Sequence, residues 1–496
     1  MRKTFDFQYS IDRVLMEEIE LNPNRRDVIE RYLYGLREVF LNPWSRPRLL
    51  ALLETYRPEV RKNRGRTGMD VWCILVLAGL KQTLDCSYDL LAFLANRAGV
   101  IRQMMGHADT DPTQYTRSRI HANVSALDPQ LLVEVNQLVV KLGHRMVGQP
   151  QGEPLKCRCD SKPVKTNVHF PTDLSLLWDA TRCTIRISAK VAEAFGLPGW
   201  RQHQSLKGTA YRWFQSSRKG RKRAYKLKKV DRYRKYCQWI ADKARTLVDA
   251  LQVLEQELLA GSKEDQARVQ AIVEAKQELC LYLDYMTLFL DQIQRRIFDG
   301  EPIPSQEKVY SIFKPFTRWI VKGKPGIPCE LSVPVAVIED LHQFVLGYGI
   351  LWDGTDKDIA VTLVELMEKQ YPGLLMTCSF DRAFYNPQVR HQLDEKLVVT
   401  AMPKKGGLTK AERKRQNAPA YRKARKGHSA VESCLNHLNH RGLSLIREQG
   451  MDGFERVVAT SVLAANLCRL GTLVRAKQRK RLRRLDKQRK RLRLAA

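Results

Sequence analysis

The feature that most constrains the fold is a hydrophobic period that switches from strand type to helix type and back again. Residues 155–159 (LKCRC) lead into Asp160, and 164–170 (VKTNVHF) alternate with β-branched residues, so both read as extended. Asp160 is expected at the end of that first strand. Pro171 and Asp173 then open a helix, DLSLLWDATRCTIRISAKVAEAF. Farther on, Ile240, Leu247, Leu251, Leu254 and Leu258 recur at helical spacing, and Gly261 breaks the pattern. Leu279, Leu283, Met286, Leu290, Ile293 and Ile297 then recur at steps of four and three, which predicts an antiparallel helical hairpin with a coiled-coil-like seam.

From residue 328 the strand period returns. PCELSVPVAVIED and HQFVLGYGIL predict two paired strands, 374–380 (LLMTCSF) a short buried strand ending at Asp381, and 397–403 another. A helix from Thr355 to Lys369, capped by Thr355 or Asp356, falls between them. Strands separated by a helix predict a mixed α/β core, here split by a long helical insertion. Ahead of it, residues 1–150 read as mostly helical. Their clearest signal is Asp128 as a cap, with Pro129 at the first helical position of DPQLLVEVNQLVVKLGHRM. Short helices there admit a helix-turn-helix or a plain bundle. Two last helices are expected around 428–440 and 453–471.

Charge narrows the partner. The formal net charge is +32, and it is concentrated in three segments. Residues 201–235 carry 14 Lys and Arg against one acid, residues 404–426 carry 10 against one, and residues 473–496 carry 12 against one. The rest of the chain is close to neutral. Such segments repel one another unless a polyanion lies between them, which points to nucleic acid. They have no matching apolar face, which argues against a membrane surface. No run of eighteen uncharged apolar residues predicts a span, and the amino terminus lacks the apolar core of a signal peptide, so a cytoplasmic protein is expected. The first basic segment interleaves aromatics, among them Trp213, with Arg221, Lys222 and Arg223. The second, which includes Lys404 and Lys405, reads as a loop, and the third as a mobile arm or a helix formed on DNA. The 11 cysteines are scattered without a zinc or disulfide pattern.

Asp160 and Asp381 each follow strand-type runs, and an acid at a strand end lies where α/β sheets bind ligands. Glu432, in GHSAVESCLNHLNHRG, borders the stripe of Val431, Leu435 and Leu438 on a helix and is able to face a sheet. Taken one at a time, such acids are more often turn, cap or solvated residues. Taken together, three of them are able to hold two divalent ions about 4 Å apart for an in-line displacement at phosphorus. Oxygen-only ligands suit magnesium or manganese. Asp173, Asp179, Glu339 and Asp340 are neighbouring acids not expected to be ligands.

These stretches resemble the DDE transposases of bacterial insertion sequences, in particular the ISNCY group. The residues that carry the likeness are Asp160-Ser with VKTNVHFPTDLSLLWDATR, IFKPFTRWIVKGKPGIPCEL at 312–331, and SFDRAFYNP around Asp381. GHSAVESCLNHLNHRGL and GFERVVATSVLAANLCRLG, within 427–471, complete it. The resemblance implies a ribonuclease-H-like mixed sheet core interrupted by the helical insertion, with a helical amino-terminal domain and a basic carboxy-terminal tail. By motif, Asp160, Asp381 and Glu432 match the family's acids as catalytic residues and ligands of two Mg2+ or Mn2+ ions. Related transposases place a tyrosine and an arginine before the glutamate and a lysine after it; here those positions are Arg425, His428 and Asn439, so that group's hairpin chemistry does not carry over. Arg382, His428 and Arg441 are candidate DNA contacts. The expected domains are 1–150 (DNA binding), 151–200 and 301–471 (the two parts of the catalytic core), 201–300 (basic segment and hairpin) and 472–496 (tail). The implied function is binding of element ends, metal-dependent cleavage and joining of 3′ ends to target DNA, by a homodimer or higher oligomer on the bacterial nucleoid. The rivals are a metal-dependent nuclease on the same core and an inactive nucleic-acid-binding relative.

Overall fold

The computed structural model describes residue 5 and residues 14–56, 68–150, 152–220, 222–259, 263–324 and 327–495. The chain divides into two compact units. One comprises residues 1–167 and 320–496, the other residues 168–319.

The first unit is mixed α/β. Its leading part contains α1 (Val28–Leu41), α2 (Arg46–Thr55), α3 (Val71–Leu84), α4 (Tyr88–Arg97), α5 (Gly99–Met104), α6 (Arg117–Val124) and α7 (Pro129–Val147). α3 is apolar on every side and buried from Val71 through Leu80, as an all-round hydrophobic helix must be. α7 starts as its sequence predicts: the Asp128 carboxylate accepts from the Gln130 N–H at 3.0 Å, and Pro129 opens the helix.

The sheet strands are β1 (Leu155–Thr166), β2 (Arg318–Lys324), β3 (Ile327–Asp340), β4 (Val345–Ile350), β5 (Leu375–Phe380), β6 (Val399–Ala401) and β7 (Leu445–Ile446). They form one seven-stranded sheet along the path β2-β3-β1-β5-β6, with β4 paired to β3 and β7 to β1. β3 runs antiparallel to both β1 and β4, whereas β1–β5 and β5–β6 are parallel. The parallel steps need crossovers. α12 (Asp356–Gln370) lies between β4 and β5, and α13 (Pro387–Lys396) between β5 and β6. Thr355 caps α12 in a reciprocal box with Asp358. The unit closes with α14 (Lys410–Asn417), α15 (Pro419–His428), α16 (Ala430–Leu438) and the long α17 (Gly450–Ala495).

α17 packs along α1, α3 and α7. Gly35 of α1 faces the Leu467 carbonyl, and Gly471 of α17 faces the Arg31 carbonyl, so closely that a Cβ on either glycine would overlap backbone. Among the described residues one helix, within Gly450–Arg489, is long and apolar enough to cross a membrane. Packing accounts for that composition, since 72% of the apolar window is buried in the protein.

The second unit is helical: α8 (Asp173–Ala194), α9 (His203–Ser217), α10 (Arg223–Leu258) and α11 (Lys263–Ile293). α10 and α11 form the antiparallel hairpin that the spacing predicts, and the break at Gly261 lies outside the described residues. Their seam residues Leu247, Leu251, Leu279, Leu283 and Met286 are buried together with Leu177, Ile185 and Phe214 of α8 and α9.

Four expectations change. Asp160 sits within β1, not at its end, because β1 keeps pairing with β3 as far as Lys165. The insertion runs from 168 to 319 and so includes α8, whose apolar face belongs to the helical core. Residues 404–426 are mostly helical: the Thr409 hydroxyl caps α14 by accepting from the Glu412 N–H at 3.3 Å, and Pro419 opens α15. The carboxy-terminal basic run is the continuation of α17, and its first arginine, Arg475, is buried and donates to the Pro23 carbonyl at 3.1 Å.

Candidate functional site

β1 alternates its two faces in the usual strand manner. Cys157 and Cys159 fall on one face, and Arg158 and Asp160 on the other. In the parallel β1–β5 pairing, Arg158 is level with Ser379 and Cys159 with Phe380, the last residue of β5. One step further along brings Asp160 level with Asp381, on strands that lie about 4.8 Å apart. Asp381 follows β5 directly and precedes a short 3-10 turn, Arg382–Phe384. The two aspartates are therefore neighbours.

Polar bonds tie the end of α15 to this face. The Arg158 guanidinium donates to the Gly427 carbonyl at 3.2 Å, and Arg425 donates to the Phe380 carbonyl at 2.7 Å. His428 is buried, with its Nδ1 3.0 Å from the Ser379 hydroxyl. Burial, reinforced by the Arg425 charge, pushes the His428 pKa down to about 4, against the opposing pull of Asp381. The ring is thus neutral at physiological pH. α16 follows at once and packs on β1. Val431, Cys434 and Leu438 are buried, and Glu432 stands exposed in its first turn.

The environments of the three acids differ. The Asp160 carboxylate is half-buried and accepts from the Ser161 N–H at 2.7 Å. Asp381 and Glu432 are exposed, and neither makes a hydrogen bond or ion pair through its side chain among the described residues. Their oxygen-only chemistry fits a hard divalent cation. Among the described residues, however, no three His, Cys, Asp or Glu side chains close into a group able to hold a metal ion. The neighbouring acids all face basic side chains: Asp173 faces Arg296 at 3.1 Å, Asp179 faces His169 at 2.6 Å, Glu339 faces Arg158 at 3.6 Å and Asp340 faces His144 at 2.5 Å.

The candidate DNA contacts fall into separate classes. Arg382 is exposed directly beside Asp381, and Lys404 and Lys405 lie in the loop between β6 and α14. Arg441 is a correction: it is 8% exposed and its Nη1 donates to the His437 carbonyl, so it lines a recessed cavity instead of an exposed face beside Asp381. His428 likewise points inward as an uncharged ring, which removes it as a cationic phosphate contact. In the second unit Lys222 and Arg223 are exposed at the start of α10, and Arg221 lies outside the described residues. Trp213 is half-buried under the Arg232 guanidinium, 4.8 Å from its ring centre. Phe214 and Tyr233 belong to the core, which leaves Tyr211, Tyr225 and Trp239 as the exposed rings of that segment.

Arg158 and Arg425 went unnoticed in the sequence as positioning residues. The signal for Arg158 is a cation between Cys157 and Cys159, in the part of the strand that is buried. Comparison with protein-family models, curated proteins and solved structures finds no significant match.

Proposed function

We propose that the chain is a DDE-type transposase that cleaves DNA at element ends and joins the 3′ ends to target DNA. The observation that carries this reading is the parallel β1–β5 register, whose last pair is Cys159 with Phe380, so that Asp160 in β1 and Asp381 just after β5 come next, with α16, which bears Glu432, packed on β1. The succession β4-β3-β1-β5-β6, antiparallel for the first two pairings and parallel for the last two, supports a ribonuclease-H-like core.

Asp160, Asp381 and Glu432 would hold magnesium or manganese. Such ions supply an activated water or 3′-hydroxyl and stabilise the leaving oxygen. The chain's own residues do the positioning. The Ser161 N–H orients the Asp160 carboxylate, and Arg158 and Arg425 fix the carbonyls around the end of β5. His428, uncharged and bound to Ser379, packs beside Asp381 without neutralising it. Arg382 and Lys405 would meet phosphate oxygens of the scissile strand, and the basic segments would supply most of the remaining phosphate contacts. Work on two DNA ends calls for a homodimer or higher oligomer.

The test is incubation with the DNA that flanks the gene, in Mg2+, Mn2+ or excess chelator. Joined strand-transfer products that require the metal support the reading. Hydrolysis without joining assigns a nuclease instead, and cleavage that persists in chelator excludes both.

A further inference from the structure

Away from the aspartate pair, a cavity of 240 Å3 opens between α1, α16 and α17. Arg31 of α1, Arg441 just beyond α16 and Arg469 of α17 line it, with Ser433 and His437. Its volume falls below the roughly 300–1,000 Å3 of a site for a drug-sized molecule, so its occupant is small.

The charge within it is unbalanced. None of the three guanidinium groups makes an ion pair among the described residues. Arg441 spends one N–H on the His437 carbonyl and Arg469 one on the His342 carbonyl at 2.8 Å. The Nε atoms of Arg31 and Arg441 are buried with no hydrogen-bond partner, and Arg441 is more than nine-tenths buried. The one carboxyl on the wall, Glu339, lies 3.6 Å from a fourth arginine, Arg158, and, like Asp340, acts on Arg469 only beyond ion-pair distance. Burying a cation such as Arg441 without a counter-charge costs several kcal/mol, so the fold tolerates this arrangement best with an anion in place. Guanidinium forks match the paired oxygens of a phosphate and hold them by charge-assisted bonds. The scaffold is rigid: the glycine contacts Gly35–Leu467 and Gly471–Arg31 bring α1 against α17 and so set Arg31 opposite Arg469.

We propose that this cavity is a binding site for one phosphate-type oxyanion, held by Arg31, Arg441 and Arg469. The group arrives either as a free anion or as a backbone phosphate of nucleic acid. The inference does not rest on the catalytic reading, since it needs neither metal nor cleavage.

The probe is inorganic phosphate, titrated calorimetrically into the full chain and into Arg31→Gln at constant ionic strength, with chloride as reference. Arg31 is half-buried and makes no ion pair, so its replacement breaks none; Arg469→Gln is the second variant should Arg31→Gln fail to fold. Arg484→Gln, in the exposed part of α17, controls for phosphate on the surface. Loss of a charged hydrogen-bond donor predicts about tenfold weaker phosphate binding in Arg31→Gln and unchanged binding in Arg484→Gln. A duplex arm assigns the source. If the group is a backbone phosphate, Arg31→Gln also weakens duplex binding and free phosphate competes with the duplex. If it is a free anion, duplex affinity is unchanged by Arg31→Gln. Phosphate binding no tighter than chloride, or equal in wild type and Arg31→Gln, overturns the proposal.

Discussion

Replacing Glu339 by glutamine should make the protein less sensitive to rising pH. Glu339 is 4% exposed, and burial lifts its pKa from 4.5 to about 7 although Arg158 lies 3.6 Å away and pulls it down. The adjacent Asp340 adds to the rise, while Cys434 and Arg469 oppose it. Between those two values the folded chain holds a proton that the unfolded chain has released. The stability contributed by the neutral carboxyl is therefore fully present below pH 4.5 and is lost as pH rises through about 7. Each pKa unit is worth about 1.4 kcal/mol, so the full rise from 4.5 to about 7 is worth on the order of 3–4 kcal/mol, of which on the order of 2–3 kcal/mol is lost between pH 5 and pH 8. Glutamine has nearly the same shape and no proton to lose. The assay is the denaturant midpoint of the first unit for wild type and Glu339→Gln, at pH 5 and pH 8. Relative to wild type, Glu339→Gln should gain on the order of 2–3 kcal/mol between those two pH values. His428 titrates in the opposite sense: its pKa is depressed to about 4, so its contribution is present above 6.5 and lost as pH falls. That term is common to both proteins and cancels in the difference. Parallel pH curves for the two proteins would refute the reasoning.

Gly35→Ala and Gly471→Ala should each destabilise the first unit by about 3 kcal/mol or more, because the added methyl meets a backbone carbonyl that has no room to move; thermal unfolding checks this, and a change within experimental error would mean that α1 and α17 do not pack so closely. Removing residues 480–496 should weaken binding to all duplexes alike and flatten the dependence of log affinity on log salt, because phosphate contacts carry no base information. The cut must spare Arg475, which is packed against Pro23, and a loss confined to element ends would show that the arm reads sequence. Arg425→Ala should leave the sheet folded but loosen the end of β5, lowering the rate of cleavage more than the affinity for DNA, as single-turnover kinetics will show.

Much of the architecture was legible where local signals and periodicity agreed. Asp128 with Pro129, Thr355 with Asp358 and the four-and-three spacing of Leu279 through Leu290 each mark an element that the fold contains. Residues 404–426 misled because their charge hides any apolar stripe; Tyr421 and His428 are the buried residues of α15, and the helix signals were the caps at Thr409 and Pro419. β2 is short, with its three apolar residues Trp319–Val321 flanked by Arg, Lys and Gly, and it forms through its partner β3, so no period-two pattern marked it. Of the candidate site, the adjacency of Asp160 and Asp381 followed from two strand-type runs. The inward turn of His428 and Arg441 did not, since burial on a neighbouring helix is decided by tertiary packing. Arg31, Glu339, Arg441 and Arg469 are scattered along the chain, and no local pattern anticipates their convergence on one cavity.

The most direct test of the central claim is strand transfer by Asp160→Asn, Asp381→Asn and Glu432→Gln on DNA carrying the element ends, in Mg2+ or Mn2+. Each substitution keeps the shape of the side chain and removes the charge that would hold the ions. The account predicts that all three lose cleavage and joining by several orders of magnitude while duplex affinity stays within about twofold, because these acids act on metal and not on DNA. Joining that survives neutralisation of Asp160 or Asp381 would contradict it.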